Sequence, residues 1–93
     1  MVVNNLLLRL KNRDAQSIEK MKACLESMKG NIPVLVDSVV KTDVRGGEYD
    51  IMLINTFNSV EDIALYAKDS FHEEVAKYVT QEREASASFC YEV

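Results

Sequence analysis

Cysteine and histidine are scarce in this sequence of 93 residues, which holds two cysteines and one histidine. Cys24 and Cys90 have no motif spacing, whereas a secreted domain of this length usually has several cysteines behind a signal peptide. The chain opens with Met-Val-Val-Asn-Asn and shows no basic segment followed by an apolar run of secretory length. We therefore expect free thiols and a cytoplasmic protein.

A single histidine also leaves few ways to hold a metal ion. Tetrahedral sites combine Cys, His and carboxylate ligands at short, regular spacing. His72, followed by Glu73 and Glu74, does not provide such a set. The pair Gly46 and Gly47 does not predict a phosphate-binding loop, because no helix follows it. We expect neither a metal nor another cofactor.

Long apolar runs and basic clusters are absent as well. No apolar run approaches the roughly 20 residues that span a bilayer. The net charge is −4, with eight Lys and Arg against seven Asp and Glu in residues 1–60, and three against eight in residues 61–93. Nucleic acids and anionic membranes attract clustered Lys and Arg. Neither nucleic acid nor a membrane is therefore an expected partner.

Four segments have the composition and alternation of β-strands, at residues 3–11, 34–44, 49–57 and 85–93. In the first, the side chains on one face are mostly apolar: Asn4, Leu6, Leu8 and Leu10. Gly46 and Gly47, between the second and third strands, predict a tight hairpin turn because glycine readily takes positive φ.

Two further segments have helical periodicity, and each follows a residue that can cap a helix. Asp14 precedes an apolar stripe that predicts a helix to about Lys29, ended by Gly30. Ser59 precedes the second helix, which we expect to bend near residues 68–70 and then to continue.

This order of elements, β-α-β-β-α-β, is that of the ferredoxin-like α+β fold. It predicts a single domain over residues 1–93, with a four-stranded antiparallel sheet and the helices on one face. Met52 and Ile54 are apolar although they alternate with the helix-facing residues of the third strand. Because the helices cover one face only, we expect a second copy of the chain to cover the other, as a homodimeric α/β barrel.

Two segments resemble the stress-responsive A/B-barrel (Dabb) family of dimeric α/β barrels. One is the opening strand, residues 4–11, which runs into a capped helix. The other is residues 49–75, where the family's Phe-x-Ser-x-Glu helix start stands as Phe57, Ser59 and Glu61, followed by Tyr66 and His72. The resemblance extends over nearly the whole chain.

The resemblance implies a fold, a dimer and a location for chemistry. A plant branch of the family is a polyketide cyclase that uses a tyrosine and the histidine of this segment, in a pocket between helices and sheet; Tyr66 and His72 match them. The chain departs from the family at Asn4, where members often have histidine. It departs again at Asp69 and Ser70, where they often have His-Pro.

His72 and Tyr66 are therefore the candidate catalytic residues. Histidine can exchange a proton at neutral pH, so His72 would act as general base or acid while Tyr66 orients a carbonyl group. The alternative is structural, with His72 packed at the bend or capping the helix and Tyr66 a core residue. Asn4, Asn55 and Phe71 are the candidate ligand-binding residues.

Three hypotheses for function remain open at this point. The first is a dimeric protein that binds a small molecule between sheet and helices. The second is an enzyme of the cyclase or monooxygenase kind, and the third is a structural dimer without a ligand. A cavity of about 300 Å³ or more on which His72 and Tyr66 converge would favour the first two, whereas a fully packed interior would favour the third.

Overall fold

The structure is a computed structural model that describes residues 1–93. Its elements, in chain order, are β1 (Val2–Leu10), α1 (Ala15–Glu26), β2 (Asp37–Thr42), β3 (Ile51–Phe57), α2 (Val60–Lys68), α3 (Ser70–Glu82) and β4 (Arg83–Glu92). The strands form one sheet in the order β2-β3-β1-β4, with every neighbouring pair antiparallel. This is the predicted ferredoxin-like α+β fold. None of its helices has the length and apolarity needed to cross a bilayer.

The hydrophobic core lies between one face of the sheet and the helices. Alternate residues of β1 and β3 point into it, and the buried members include Leu8, Ile51, Leu53 and Phe57. The helices contribute side chains at helical spacing: Met21 and Leu25 from α1, Tyr66 from α2, and Val75 and Val79 from α3. The face of β1 that carries Leu6, Leu8 and Leu10 is the one predicted to be apolar.

The opposite face of the sheet, here called the open sheet face, has no helix on it. Register places Leu7 beside Met52 and Ala87, and Asn5 beside Ile54 and Phe89. Met52 is 36% exposed, Tyr91 45% and Phe89 70%. Large apolar side chains are therefore left in contact with solvent on this face.

Aspartate and serine side chains set the starts of the helices. The Asp14 carboxylate accepts a hydrogen bond from Ser17 N at 2.7 Å, and Ser59 Oγ accepts one from Asp62 N at 3.3 Å, as the capping pattern predicts. The expected bend is a complete break at Asp69, whose backbone is extended. Asp69 Oδ1 accepts from the N–H groups of Phe71 and His72, and so begins α3.

Helix α1 ends at Glu26, one turn earlier than predicted. The Ser27 hydroxyl donates to the Cys24 carbonyl. Beyond Glu26 the backbone hydrogen bonds span three residues instead of four, from Met28 N to Leu25 O and from Lys29 N to Glu26 O. Competing serine hydroxyls and tightened last turns commonly end helices.

The prediction of a tight hairpin turn at Gly46 and Gly47 is wrong. Strand β2 ends at Thr42 and β3 begins at Ile51, so the whole of residues 43–50 forms the connection. Of these two glycines, only Gly46 has positive φ, at +68°. The Asp43 carboxylate accepts from Arg45 N at 3.0 Å and from Gly47 N at 2.8 Å, so this aspartate organises the loop.

Asp50 lies just before β3 and inside the protein, rather than within a strand as predicted. It is 6% exposed, and its carboxylate accepts from Leu10 N at 2.8 Å and from Arg13 Nε at 2.9 Å. Asp50 thereby joins the end of β1, the approach to α1 and the loop before β3. A buried carboxylate is tolerated because both oxygens are hydrogen-bonded, one of them to a cation.

We predict that Asp50→Ala lowers the free energy of unfolding by about 2–3 kcal/mol, because it leaves a buried N–H of Leu10 without an acceptor. Glu74→Ala is the control. It removes a carboxylate from an exposed pair with Lys77 and should cost no more than about 0.5 kcal/mol. Urea denaturation measures both variants. Equal destabilisation by the two would contradict this role for Asp50.

Candidate functional site

A cavity of about 160 Å³ lies between the sheet and the helices. Leu6 of β1 and Leu53 of β3 form its floor, and Leu25, Val75 and Val79 are among the helix side chains that enclose it. Tyr66, His72, Thr80 and Arg83 supply the polar groups of its wall. An apolar space with a few polar groups is the usual form of a small-molecule site.

Tyr66 is held in place by a chain of buried hydrogen bonds. Ser38 Oγ donates to Asn55 Oδ1 at 2.6 Å, and Asn55 Nδ2 donates to Tyr66 Oη at 3.2 Å. The Tyr66 hydroxyl in turn donates to Met28 Sδ at 3.5 Å. Because a thioether is a weak acceptor, the Tyr66 hydroxyl can instead donate its hydrogen bond to a better acceptor on a ligand.

Burial raises the pKa of Tyr66 to about 12, and the hydrogen bond from Asn55 opposes this rise in pKa. Desolvation disfavours the phenolate. The hydroxyl is thus neutral around neutral pH. Tyr66 is suited to donate a hydrogen bond to a ligand and not to abstract a proton.

His72 lies against Tyr66 in the first turn of α3. The two ring centroids are 4.2 Å apart and the rings are tilted by 47°. His72 Nδ1 is buried and has no hydrogen-bond partner in the chain. Buried side-chain nitrogen and oxygen atoms are normally hydrogen-bonded, and leaving one unpaired costs about 1–3 kcal/mol. A partner from outside the chain would remove that cost.

His72 also borders the protein surface. A shallow depression of about 450 Å³ lies outside the cavity, and Lys77 and Glu73 are part of its wall. His72, Ala76 and Thr80 line both spaces. The histidine therefore stands at the boundary between the cavity and the solvent-facing depression.

The structure brings some of the predicted site residues together and leaves others apart. Tyr66 and His72 are in contact on the cavity wall. Asn55 is 2% exposed and donates a hydrogen bond to the Tyr66 hydroxyl, without lining the cavity itself. Asn4 is the cross-strand neighbour of Asn55, and Phe71 packs against the core, but neither lines the cavity.

Sequence reasoning missed Ser38, Met28 and Arg83. Ser38 and Met28 are distant in sequence from Tyr66, and no local pattern connects them. Arg83 could have been found, because it follows His72, Val75, Ala76, Val79 and Thr80 at steps of three, one, three, one and three. That spacing places all six on one side of a helix. No group of three or more His, Cys, Asp or Glu side chains is close enough to hold a metal ion.

The fold and site define a class of protein: a ferredoxin-like α+β domain with a small cavity between sheet and helices, and with tyrosine and histidine on its wall. The chain matches the family model of the stress responsive A/B barrel domain (Dabb) over residues 5–93. It belongs to that family, which confirms the resemblance seen in the sequence.

Solved structures agree in fold. A dimeric protein of unknown function from Bacteroides fragilis is 22% identical, with a TM-score of 0.84 over 99% of this chain and 95% of that one. An Arabidopsis thaliana protein is 20% identical, with a TM-score of 0.87 over 100% and 95%. The hydroxynitrile lyase of Passiflora edulis is 19% identical, with a TM-score of 0.84 over 99% and 92%. No curated protein matches the sequence significantly.

We predict that Tyr66 ionises at about pH 12, above the ordinary value of 10.0. Its pKa is raised by folding, so its contribution to stability is fully present below pH 10 and is lost as the pH rises toward 12. Alkaline titration of phenolate absorbance measures the step. Tyr66→Phe should remove it and Tyr78→Phe should leave it. A step that survives in Tyr66→Phe would assign it to another tyrosine.

Proposed function

We propose that this Dabb protein is a homodimer that binds a small molecule in the cavity between sheet and helices. The observation that carries the proposal is the buried, unpaired Nδ1 of His72, whose ring packs against that of Tyr66 on the cavity wall. The two side chains together offer a ligand two hydrogen-bonding groups. Elsewhere the wall is largely apolar, so the body of the ligand would be apolar as well.

The volume of the cavity limits the size of the ligand. At about 160 Å³, the cavity is smaller than the 300 Å³ given above as the volume that would favour a ligand over a structural dimer, and it is below the usual range for drug-sized ligands. It is close to an engineered cavity of about 150 Å³ that binds benzene. The proposed ligand thus has a body of about one six-membered ring. It would enter the cavity from the outer depression, past His72.

The same pair supports a second candidate function, catalysis. Ring centroids 4.2 Å apart place the two side chains within reach of one small ligand. His72 would then exchange a proton with the ligand while Tyr66 donates a hydrogen bond to its carbonyl oxygen. The Passiflora protein is a lyase, but at 19% identity that likeness is one of fold, and its substrate is not assigned to this chain.

Substitutions that keep ring size separate binding from catalysis. Ligands are first identified by mass spectrometry of small molecules that copurify with the protein, and their affinities are measured by calorimetry. We predict that His72→Phe, which keeps a ring against Tyr66, weakens binding by about two- to tenfold. Tyr66→Phe should act similarly, and Tyr78→Phe, outside the cavity, should have no effect. Unchanged affinity in both cavity variants would refute binding at this site.

If the protein is an enzyme, the same variants also lose turnover. Loss of a general base typically costs about 10²- to 10⁴-fold in rate, which is larger than the loss of affinity expected from one hydrogen bond. A rate that falls only in proportion to affinity would indicate a binding protein.

We further propose that the dimer forms through the open sheet face. Met52, Tyr91 and Phe89 are exposed there, and covering such side chains is favourable by about 25 cal/mol per Å² of apolar surface. The Bacteroides structure is described as dimeric. A concavity of about 370 Å³ bordered by Leu7 and Met52 also lies on this face, so the partner would cover it. For that reason the smaller cavity at His72 is the candidate site.

A charge on the open sheet face should break the dimer. We predict that Phe89→Lys and Met52→Lys sediment as monomers at micromolar concentration, because burying an unpaired ammonium group is costly. Leu65→Lys is the control, since Leu65 is 55% exposed on α2, in the helix layer. Dissociation of the Leu65 variant, with the sheet variants still dimeric, would place the interface on the helices.

The cytosol is the location we propose. Cys24 and Cys90 are free thiols, as is usual in a reducing compartment. Burial raises the pKa of the Cys24 thiol, which lowers the fraction of reactive thiolate.

A further inference from the structure

One side of α3 lines the cavity along its whole length. The contributing residues are His72, Val75, Ala76, Val79, Thr80 and, at the first position of β4, Arg83. At 1.5 Å per residue, the backbones of His72 and Arg83 are about 16 Å apart along the axis of α3. Arg83 lies just beyond the last residue of α3, where the backbone is already extended, and its side chain is part of the cavity wall. The wall therefore has polar groups at both ends and apolar groups between them.

Arg83 is the cation at one end of this wall, and the chain gives it no carboxylate. The three ion pairs of the structure join Arg13 to Asp50, Lys29 to Asp37, and Lys77 to Glu74. Arg83 makes one side-chain hydrogen bond, from Nη1 to Ser86 Oγ at 3.2 Å. A guanidinium has five N–H donors, so most of its donors face solvent or the cavity.

Arg83 is exposed at the edge of the cavity, in the acidic part of the chain. Residues 61–93 contain three basic side chains and eight acidic ones. Carboxylates are thus abundant near it in sequence, yet none pairs with it. A guanidinium prefers a planar two-oxygen acceptor, such as a carboxylate, held through two parallel hydrogen bonds.

We propose that the ligand of this cavity is a small monocarboxylic acid with an apolar body of about one ring. Its carboxylate binds Arg83, its body lies among Leu6, Leu53 and Val79, and the end near His72 and Tyr66 can carry a carbonyl or hydroxyl group. The proposal rests on the proposed function, that the cavity binds a ligand, and it adds the chemical class of that ligand.

The test compares an acid with its neutral isostere. The probes are 3-phenylpropionate and 3-phenylpropionamide, titrated calorimetrically into the wild-type protein and into Arg83→Gln. We expect the wild type to bind the acid about tenfold more tightly than the amide, since charge-assisted hydrogen bonds are the stronger kind. Arg83→Gln should lose that preference while its affinity for the amide stays the same. Added salt should reduce the preference of the wild type.

A matched control is Arg45→Gln, which removes an exposed arginine from the β2–β3 loop, away from this cavity, and should keep the tenfold preference. If the wild type binds acid and amide equally and His72→Phe weakens both, the carboxylate proposal fails and the binding site stands. A preference that persists in Arg83→Gln also overturns the role of Arg83. If neither probe binds the wild type, both the carboxylate class and a ring-sized ligand for this cavity are wrong.

Discussion

The hydrogen bonds accepted by the Asp69 carboxylate are the constraint on which the site depends. They begin α3 at Ser70, so that Asp69 alone separates it from the end of α2 at Lys68. His72 is thereby fixed in the first turn of α3, with its ring 4.2 Å from that of Tyr66 at the end of α2. A continuous helix would put residues 66 and 72 on different sides, because six residues correspond to about 600° of rotation.

A second constraint is the polarity of the interior. The buried chain from Ser38 through Asn55 to Tyr66 satisfies its own hydrogen bonds and carries a polar group into an otherwise apolar core. Such networks are stable only when their members are paired. The Tyr66 hydroxyl donates to the weak acceptor Met28 Sδ, and His72 Nδ1 has no hydrogen-bond partner. The network is thus complete on the side of the sheet and incomplete on the side of the cavity.

The two faces of the sheet have different requirements. The face toward the helices is covered within the chain and encloses the cavity. The open sheet face exposes Met52, Tyr91 and Phe89, and the homodimer proposed above would cover them. A chain of this length buries a modest share of its surface alone, so association would also stabilise the fold that holds the cavity.

Local patterns in the sequence determined the order of elements, the caps at Asp14 and Ser59, the break near Asp69 and the apolar face of β1, because each depends on neighbours along the chain. The family resemblance brought Tyr66 and His72 forward as a pair. Tertiary structure decided the rest. The burial of Asp50, the support of Tyr66 by Ser38 and Asn55, and the separation of Asn4 and Phe71 from the cavity depend on strand register and helix packing. Register and packing join residues that are far apart in sequence, and no local periodicity encodes them.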